Sequence, residues 1–355
     1  MTAASGRNIA IHEHRGPALA GFLPRARSYL ERSGVAPLSR DPAWLEVLER
    51  GLGHVPVCLE AAAAGEIRGL LPLAFVRSLL FGRFLVSLPY LNSGGVLADD
   101  DEAARLLIDR AVALAGELGV RYLELRHEQP VEHAGLTARM TSKVHMRLPL
   151  PETAGTLWDQ IPSKVRNQIR KGQKGDLAVS WGGPERLDEF YTVFSRNMRD
   201  LGTPVYGRGL FRAVLEQFPD QAELCVVRAG SVPVAAALLL HGRGVTEVPS
   251  ASALRAFNPT NCNMLMYWHL LERAVERGQA LFDFGRSSAE SPTYRFKKQW
   301  GAQPGPAEWQ YHVRTGQVGE MRPESPRYRL LVRTWQRLPV GLTRLIGPPI
   351  VRGIP

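Results

Sequence analysis

The stretches L-I-D-R-A-V-A-L-A-G-E-L-G-V-R-Y-L-E-L (107–125) and L-L-E-R-A-V-E-R-G-Q-A-L-F-D-F (270–284) read as one structural joint written twice. Each has apolar residues at helical spacing, a glycine that stops the helix (Gly119, Gly278) and an apolar strand directly after it. Working outward, the same order of elements surrounds both. The first half predicts a helix from about Asp41, with Asp41 as cap and Pro42 at the first helical position. A hairpin follows, V-P-V-C-L-E (55–60) and I-R-G-L-L-P-L-A-F-V (67–76) around Ala64-Gly65, then a strand over 84–88 and a helix over 101–118. The second half has A-E-L-C-V-V-R (222–228), a turn at Ala229-Gly230, V-P-V-A-A-A-L-L-L (232–240), V-T-E-V-P-S (245–250) and a helix over 263–277. Helices over 185–200 and 209–218 cover the second sheet. Gly65 and Gly230 are 165 residues apart, and Gly119 and Gly278 are 159 apart. These offsets predict an internal duplication of one α+β unit joined between Pro149 and Thr156, with mixed rather than doubly wound parallel sheets. The domain plan is an N-terminal segment 1–39, a first unit 40–150, a second unit 151–315 and a basic tail 316–355.

At 355 residues the chain exceeds what one core supports, in agreement with two units. Its 45% hydrophobic and 22% charged residues are those of a soluble globular protein. The first thirty residues hold no signal-peptide core and no stretch reaches spanning length, so the expected location is cytoplasmic. His12 and His14 fall in a segment expected to be mobile. Cys58, Cys225 and Cys262 are odd in number and widely spaced, which predicts buried free thiols rather than disulfides or a zinc site. Of the net charge of +10, the last 31 residues supply six arginines and no acid. That placement does not suit a nucleic-acid groove and favours phosphate-bearing or membrane-associated partners.

Only six lysines stand against 38 arginines, and five of the six lie in P-S-K-V-R-N-Q-I-R-K-G-Q-K-G (162–175) and T-Y-R-F-K-K-Q-W-G (293–301). A lysine kept in an arginine-rich chain points to a need for a compact ammonium. The two segments read as halves of one anion-handling site, the alternative being solvated charge runs. On a helical wheel Ile161, Val165 and Ile169 share one face, and Lys164, Arg166, Arg170, Lys171 and Lys174 the other, an arrangement favoured when an anion such as phosphate neutralises it and otherwise read as a solvated helix face. In 282–302, Asp283 sits in an apolar strand where a carboxylate needs a partner or a function. Gly285 and Ser287-Ser288 form a polar exit, and Thr293 can cap a short helix after Pro292. In that helix Phe296 and Trp300 share one face, Tyr294, Lys297 and Lys298 the other. His241 and His269 read either as general bases or as satisfied structural histidines. Phosphate-loop, dinucleotide and metal motifs are missing, and no metal site is expected.

The runs D-F-G-R-S-S (283–288) and T-Y-R-F-K-K-Q-W-G-A (293–302) resemble the C-terminal signature of the Fem-type peptidyltransferase family, and L-P-Y-L-N-S-G-G (88–95) is similar to its P-x-x-N-x-G-G loop. The duplicated unit looks like that family's paired GNAT-like domains. The tail and L-G-T-P-V-Y (201–206) are most like the subgroup associated with exosortase and PEP-CTERM exopolysaccharide systems. The resemblance spans about 40–315. It implies transfer of an acyl group, in well-known members an aminoacyl group from aminoacyl-tRNA, to an amine of a cell-envelope or exopolysaccharide precursor that can be lipid-linked. Lys297 then corresponds to the lysine that stabilises the oxyanion. Asp283 and Tyr294 join it as catalytic candidates. Lys164, Arg166, Arg170, Lys171, Asn92, Gly94, Gly95, Arg286, Ser287, Ser288 and Lys298 are the candidate substrate-binding residues. No resident cofactor is expected; the acyl donor is an aminoacyl-tRNA or an acyl-CoA. The long coiled-coil arm of tRNA-using members has no counterpart, since no heptad pattern is sustained. A coenzyme-A-dependent N-acetyltransferase is the alternative, although N-P-T-N-C-N and V-L-A-D-D-D do not match a Q/R-x-x-G-x-G/A loop. A non-catalytic module binding a phosphorylated lipid carrier is the third reading.

After Pro326 the tail places Leu331, Trp335 and Leu338 on one stripe beside Arg329, Arg333 and Arg337. This suits either peripheral contact with an anionic membrane face or docking on the protein's own core.

Overall fold

The computed structural model describes residues 8–32, 34, 36–318 and 326–355, with side chains of the last segment from Leu330 onward. The first half runs β1 (Ala10–His14), α1 (Gly16–Glu31), α2 (Trp44–Leu52), β2 (Val55–Ala63), β3 (Glu66–Ser78), β4 (Gly82–Val86), β5 (Leu97–Ala98), α3 (Asp101–Glu117), β6 (Tyr122–His127) and β7 (Ala138–Met140). The second begins with β8 (Lys143–Pro149), α4 (Ala154–Gln160), α5 (Ser163–Lys174), β9 (Leu177–Gly182), α6 (Leu187–Leu201) and α7 (Arg208–Gln217). It continues with β10 (Ala222–Ala229), β11 (Val232–His241), β12 (Val245–Ala253), α8 (Cys262–Glu276), β13 (Leu281–Ser288), α9 (Pro292–Lys298), β14 (Gln303–Gly305) and β15 (Glu308–Val313). The tail forms α10 (Pro326–Arg337) and α11 (Val340–Val351).

Two mixed sheets repeat one pairing plan. β2, β3 and β4 are antiparallel neighbours and β4 runs parallel to β6, with α3 as the crossover. β10, β11 and β12 repeat this, with β12 parallel to β13 and α8 as the crossover. Gly119 and Gly278 follow the two crossover helices at φ +59° and +67°, the left-handed position that only glycine adopts without strain.

Beyond the parallel pair one strand crosses between the halves. β8 lies beside β13 in the second sheet, whereas β15 returns to lie between β6 and β7 in the first. The expected join between Pro149 and Thr156 therefore falls one strand late, and 308–313 pairs with the opposite half from the one expected. Alternation in E-W-Q-Y-H-V announces a strand without saying which sheet takes it; Trp309 and Tyr311 decide it by burying against Phe84, Val86 and Tyr122.

The N-terminal residues join the first unit. His12 and His14 lie in β1, paired with β2, and His14 stacks on Phe22 of α1 at 3.7 Å and bonds Glu60 at 2.8 Å. α2 and α7 share an apolar cluster, and a Cβ on Gly51 would lie 2.7 Å from Leu210 Cα, so these helices cross at backbone contact. Cys58, Cys225 and Cys262 are buried free thiols.

The tail docks one face. Thr343, Gly347 and Val351 of α11 are buried, Arg344 Nε donates to Ser195 Oγ at 2.8 Å on α6, and Gln336 Nε2 donates to Asp200 O at 3.1 Å. Trp335 and Leu338 are half-buried, whereas Leu331 stays exposed; the Arg329 side chain lies outside the described residues. Among the described residues no helix is long and apolar enough to cross a membrane.

Candidate functional site

β12 and β13 are paired from Val245–Leu281 to Glu247–Asp283 and then separate. Local sequence causes this: Pro249 withholds an N–H from β12, and a bulge between Asp283 and Arg286 bends β13 where Gly285 takes φ +75°. The narrow crevice so formed is lined by Leu91, Asn92, Glu247, Pro249, Asp283 and Gly285.

Lys297 projects beneath this point from α9. Ser291, rather than Thr293, caps that helix, its Oγ accepting from Tyr294 N. Tyr294 and Lys297 are buried, while Lys298 is exposed with its Nζ 5.7 Å from the Tyr294 ring centroid. Lys297 Nζ donates to Gly285 O at 3.0 Å and Arg286 O at 3.1 Å. Burial pushes its pKa down to about 8, against the opposing pull of Asp283. An ammonium has three protons, so one remains for a third acceptor.

Asp283 is fully engaged. Its Oδ1 accepts from Gly285 N at 2.7 Å and its Oδ2 from Arg147 Nε at 2.8 Å, with His145 Nδ1 3.4 Å away. Burial would raise its pKa, but His145 and Arg147 outweigh that and hold it below the usual range. Arg147 also grips Glu128 with two bonds of 2.8 Å, tying the end of β6 to the second sheet. Asp283 thus reads as an anchor of the crevice wall.

The carboxyl that sequence reasoning missed is Glu247, opposite Asp283 in the parallel register. It accepts from Ser39 N at 2.9 Å and Ser39 Oγ at 2.7 Å. Burial foremost, and then the Asp283 charge, push its pKa up to about 7. The available signal was a single acid inside V-T-E-V-P-S; its partner lies 208 residues away.

Asn92 meets this site from the first half. Its Nδ2 is 3.0 Å from where a Cβ on Gly285 would stand, and its carbonyl accepts from Trp309 Nε1 at 3.2 Å. Gly94 and Gly95 are explained by packing: a Cβ would strike Ser87 O or the His127 ring. Leu88 and Tyr90 hold positive φ of 50° and 79°, so the loop is strained where it meets the second half.

Arg286 stacks on Trp309, its Cζ 3.2 Å from a ring centroid, and Arg126 lies over the same side chain at 4.1 Å. Arg126 is paired with Glu124 at 2.7 Å, but Arg286 Nε and Nη1 are buried without hydrogen-bond partners. Burial, then Arg126, lower the Arg286 pKa to about 9, which leaves it charged at neutral pH. Ser287 Oγ and Tyr311 Oη are buried and unpartnered as well. Unsatisfied buried donors around an unpaired cation suit an anionic or hydroxyl-bearing ligand. Ser288 is exposed at the strand end.

On α5, Val165, Ile169 and Gly172 face inward, and a Cβ on Gly172 would be 3.0 Å from Leu265 of α8. Lys164, Arg170, Lys171 and Lys174 are exposed, Arg170 lies over Trp158 at 5.4 Å, and Arg166 is 3.6 Å from Asp159. Lys171 lines an open groove with Thr260 and Asn261 at the N-terminal end of α8. Lys297 is buried, whereas the α5 cations Lys164, Arg170, Lys171 and Lys174 face solvent; from α8, Tyr267 packs against Phe296 at 4.9 Å.

His241 is a satisfied structural histidine, bonded to Glu223 at 2.8 Å and Thr246 at 2.9 Å, its pKa lowered by burial. His269 pairs with Glu272 at 3.0 Å. No cluster suited to a metal ion occurs among the described residues.

Residues 162–298 match the family profile described as an acetyltransferase (GNAT) domain. No curated protein sequence matches the chain. Among solved structures the chain is similar to FemX, at 14% identity and TM-score 0.63, covering 85% of this chain and 97% of that one. It is also similar to L-PGS from Bacillus licheniformis, at 13% identity and TM-score 0.56, covering 94% and 98%. A tandem GNAT protein from the clavulanic acid biosynthesis pathway aligns at 11% identity and TM-score 0.52, covering 85% and 97%. At these identities the likeness is one of fold, and it is the α+β fold with two tandem GNAT-like units, an acyltransferase architecture.

Proposed function

We propose that the protein is an N-acyltransferase that passes an acyl group, of the aminoacyl type, to an amine on a cell-envelope precursor. The observation that carries this reading is the meeting of Asn92 from one half with Gly285 and Lys297 from the other, where β12 and β13 part and Glu247 lines the gap. The substrate amine is the nucleophile, so no side-chain nucleophile is required. Glu247 takes the amine proton as the C–N bond forms, and the free proton of the Lys297 ammonium is directed at the developing oxyanion. Collapse of that intermediate breaks the donor's ester or thioester bond, and the proton passes to the leaving group. Asp283 positions Gly285 and Arg147 rather than moving a proton, and Tyr294 packs beside Lys297. Arg286, Ser287 and Tyr311 would hold the acceptor's polar part, while Lys164, Arg166, Arg170 and Lys171 beside the positive end of α8 would take the donor's phosphates.

The match of 162–298 to an acetyltransferase profile favours a second donor, an acyl-CoA, on the same machinery. The exopolysaccharide setting, and a precursor carried on lipid at the inner membrane face, belong to this proposal and rest on the sequence motifs. Turnover is tested with purified protein, labelled aminoacyl-tRNA or acetyl-CoA, and an amine-bearing envelope precursor. Lys297→Met is expected to lower turnover about 10²- to 10³-fold with donor binding intact. Unchanged transfer would remove the oxyanion role, and no transfer by the parent protein from either donor would favour a binding module.

A further inference from the structure

Eight large apolar side chains are exposed among the described residues: Leu79, Leu80, Leu201, Val232, Leu330, Leu331, Leu342 and Leu345. Seven of them lie on the tail helices or on segments that touch the tail. Leu330 and Leu331 are on α10 and Leu342 and Leu345 on α11. Leu201 ends α6 next to Gly202, whose Cβ would collide with Val332 of α10. Leu79 and Leu80 form the β3–β4 hairpin tip, and Ser78 and Phe81 on either side of them abut Gly353 just beyond α11. Val232 alone stands apart, at the β10–β11 turn.

The charge on these segments is mostly positive; Asp200, beside Leu201 at the end of α6, is paired with Arg199 at 2.7 Å. Arg77, Arg83, Arg333, Arg337 and Arg352 are exposed beside the leucines, and residues 76–86 and 325–355 contain no acid. On α11 the exposed residues Leu342, Leu345, Pro349 and Arg352 recur at helical spacing opposite buried Thr343, Gly347 and Val351. Docking on α6 thus consumes one face of the helix and leaves a second face without a partner. Leu79 is fully exposed at 107% and Leu80 at 72%, an arrangement water disfavours and a hairpin tip gains nothing from internally.

We infer that this side of the molecule, hairpin tip and tail helices together, is a seat for an anionic lipid bilayer. The leucines enter the acyl boundary while the arginines meet lipid phosphates, the pattern of an interfacial rather than spanning attachment. The excess of positive charge selects a lipid surface over an apolar protein groove, because it is complementary to a uniformly negative plane.

Full-length protein is floated with vesicles of phosphatidylcholine, with and without phosphatidylglycerol. Co-flotation with the phosphatidylglycerol vesicles, weakened by salt and lost on phosphatidylcholine alone, is expected. Leu79→Ser/Leu80→Ser and Leu342→Ser/Leu345→Ser should each weaken vesicle binding about tenfold or more. Val232→Ser should leave it unchanged, and all variants should keep the parent's melting temperature because the residues are exposed. No binding to phosphatidylglycerol vesicles, or equal loss in Val232→Ser, overturns the inference. So does a vesicle-free dimer by light scattering that the leucine variants dissociate, since the occupant would then be a second copy.

Discussion

Lys297 and Glu247 are both buried and both titrate near neutrality, but from opposite directions: burial lowers the ammonium to about 8 and raises the carboxyl to about 7. If Glu247 acts as base and Lys297 as ammonium, transfer falls below about pH 7 as the carboxyl protonates and above about pH 8 as the ammonium is lost. A pH–rate profile should therefore peak between these limits, and Glu247→Gln should abolish most of the activity. The same carboxyl affects stability. It ionises near 4.5 when unfolded and near 7 when folded, so in that window the native state keeps a proton that the unfolded chain has lost. Stability hence falls as pH rises across the window, by up to about 3 kcal/mol. Denaturant titrations of Glu247→Gln should lack that slope, and an unchanged slope would show that another group carries it.

At the scale of elements, α5 and α9 divide the cationic work. α9 is capped by Ser291, begins with Pro292, and turns a lysine into the protein, where two carbonyls hold it. α5 keeps its apolar stripe on α8 and its lysines in water, an arrangement suited to a phosphate-rich donor arriving from outside. Arg170→Glu/Lys171→Glu is expected to raise the donor's KM about tenfold or more while leaving kcat nearly unchanged. Added salt should raise the parent's KM toward that of the variant. An equal fall in kcat would place these side chains at the reacting atoms instead.

At the scale of the whole molecule, β15, which follows the second half, is inserted between β6 and β7 of the first sheet. With α2 on α7 and Arg147 bridging Glu128 to Asp283, the halves should unfold together. Calorimetry is expected to show a single transition, and Tyr311→Ala, at a side chain 1% exposed, should shift it as a whole by about 3–5 kcal/mol. Two separable transitions would contradict this coupling.

The repeated joint at 107–125 and 270–284 and the paired hairpins determined the two-unit fold, because helical and strand periodicities are written in neighbouring residues. The short helix after Pro292 that carries Lys297 was legible for the same reason. Other decisions needed contacts between residues far apart in the chain. The sheet that β15 joins depends on Trp309 and Tyr311 finding Phe84 and Tyr122. The role of Glu247 depends on Ser39, the burial of Lys297 and the exposure of the α5 cations on how α9 and α5 pack, and the leucine platform on Gly353 meeting Ser78. Burial, and with it every shifted pKa in the site, arises only when those distant segments exclude water together.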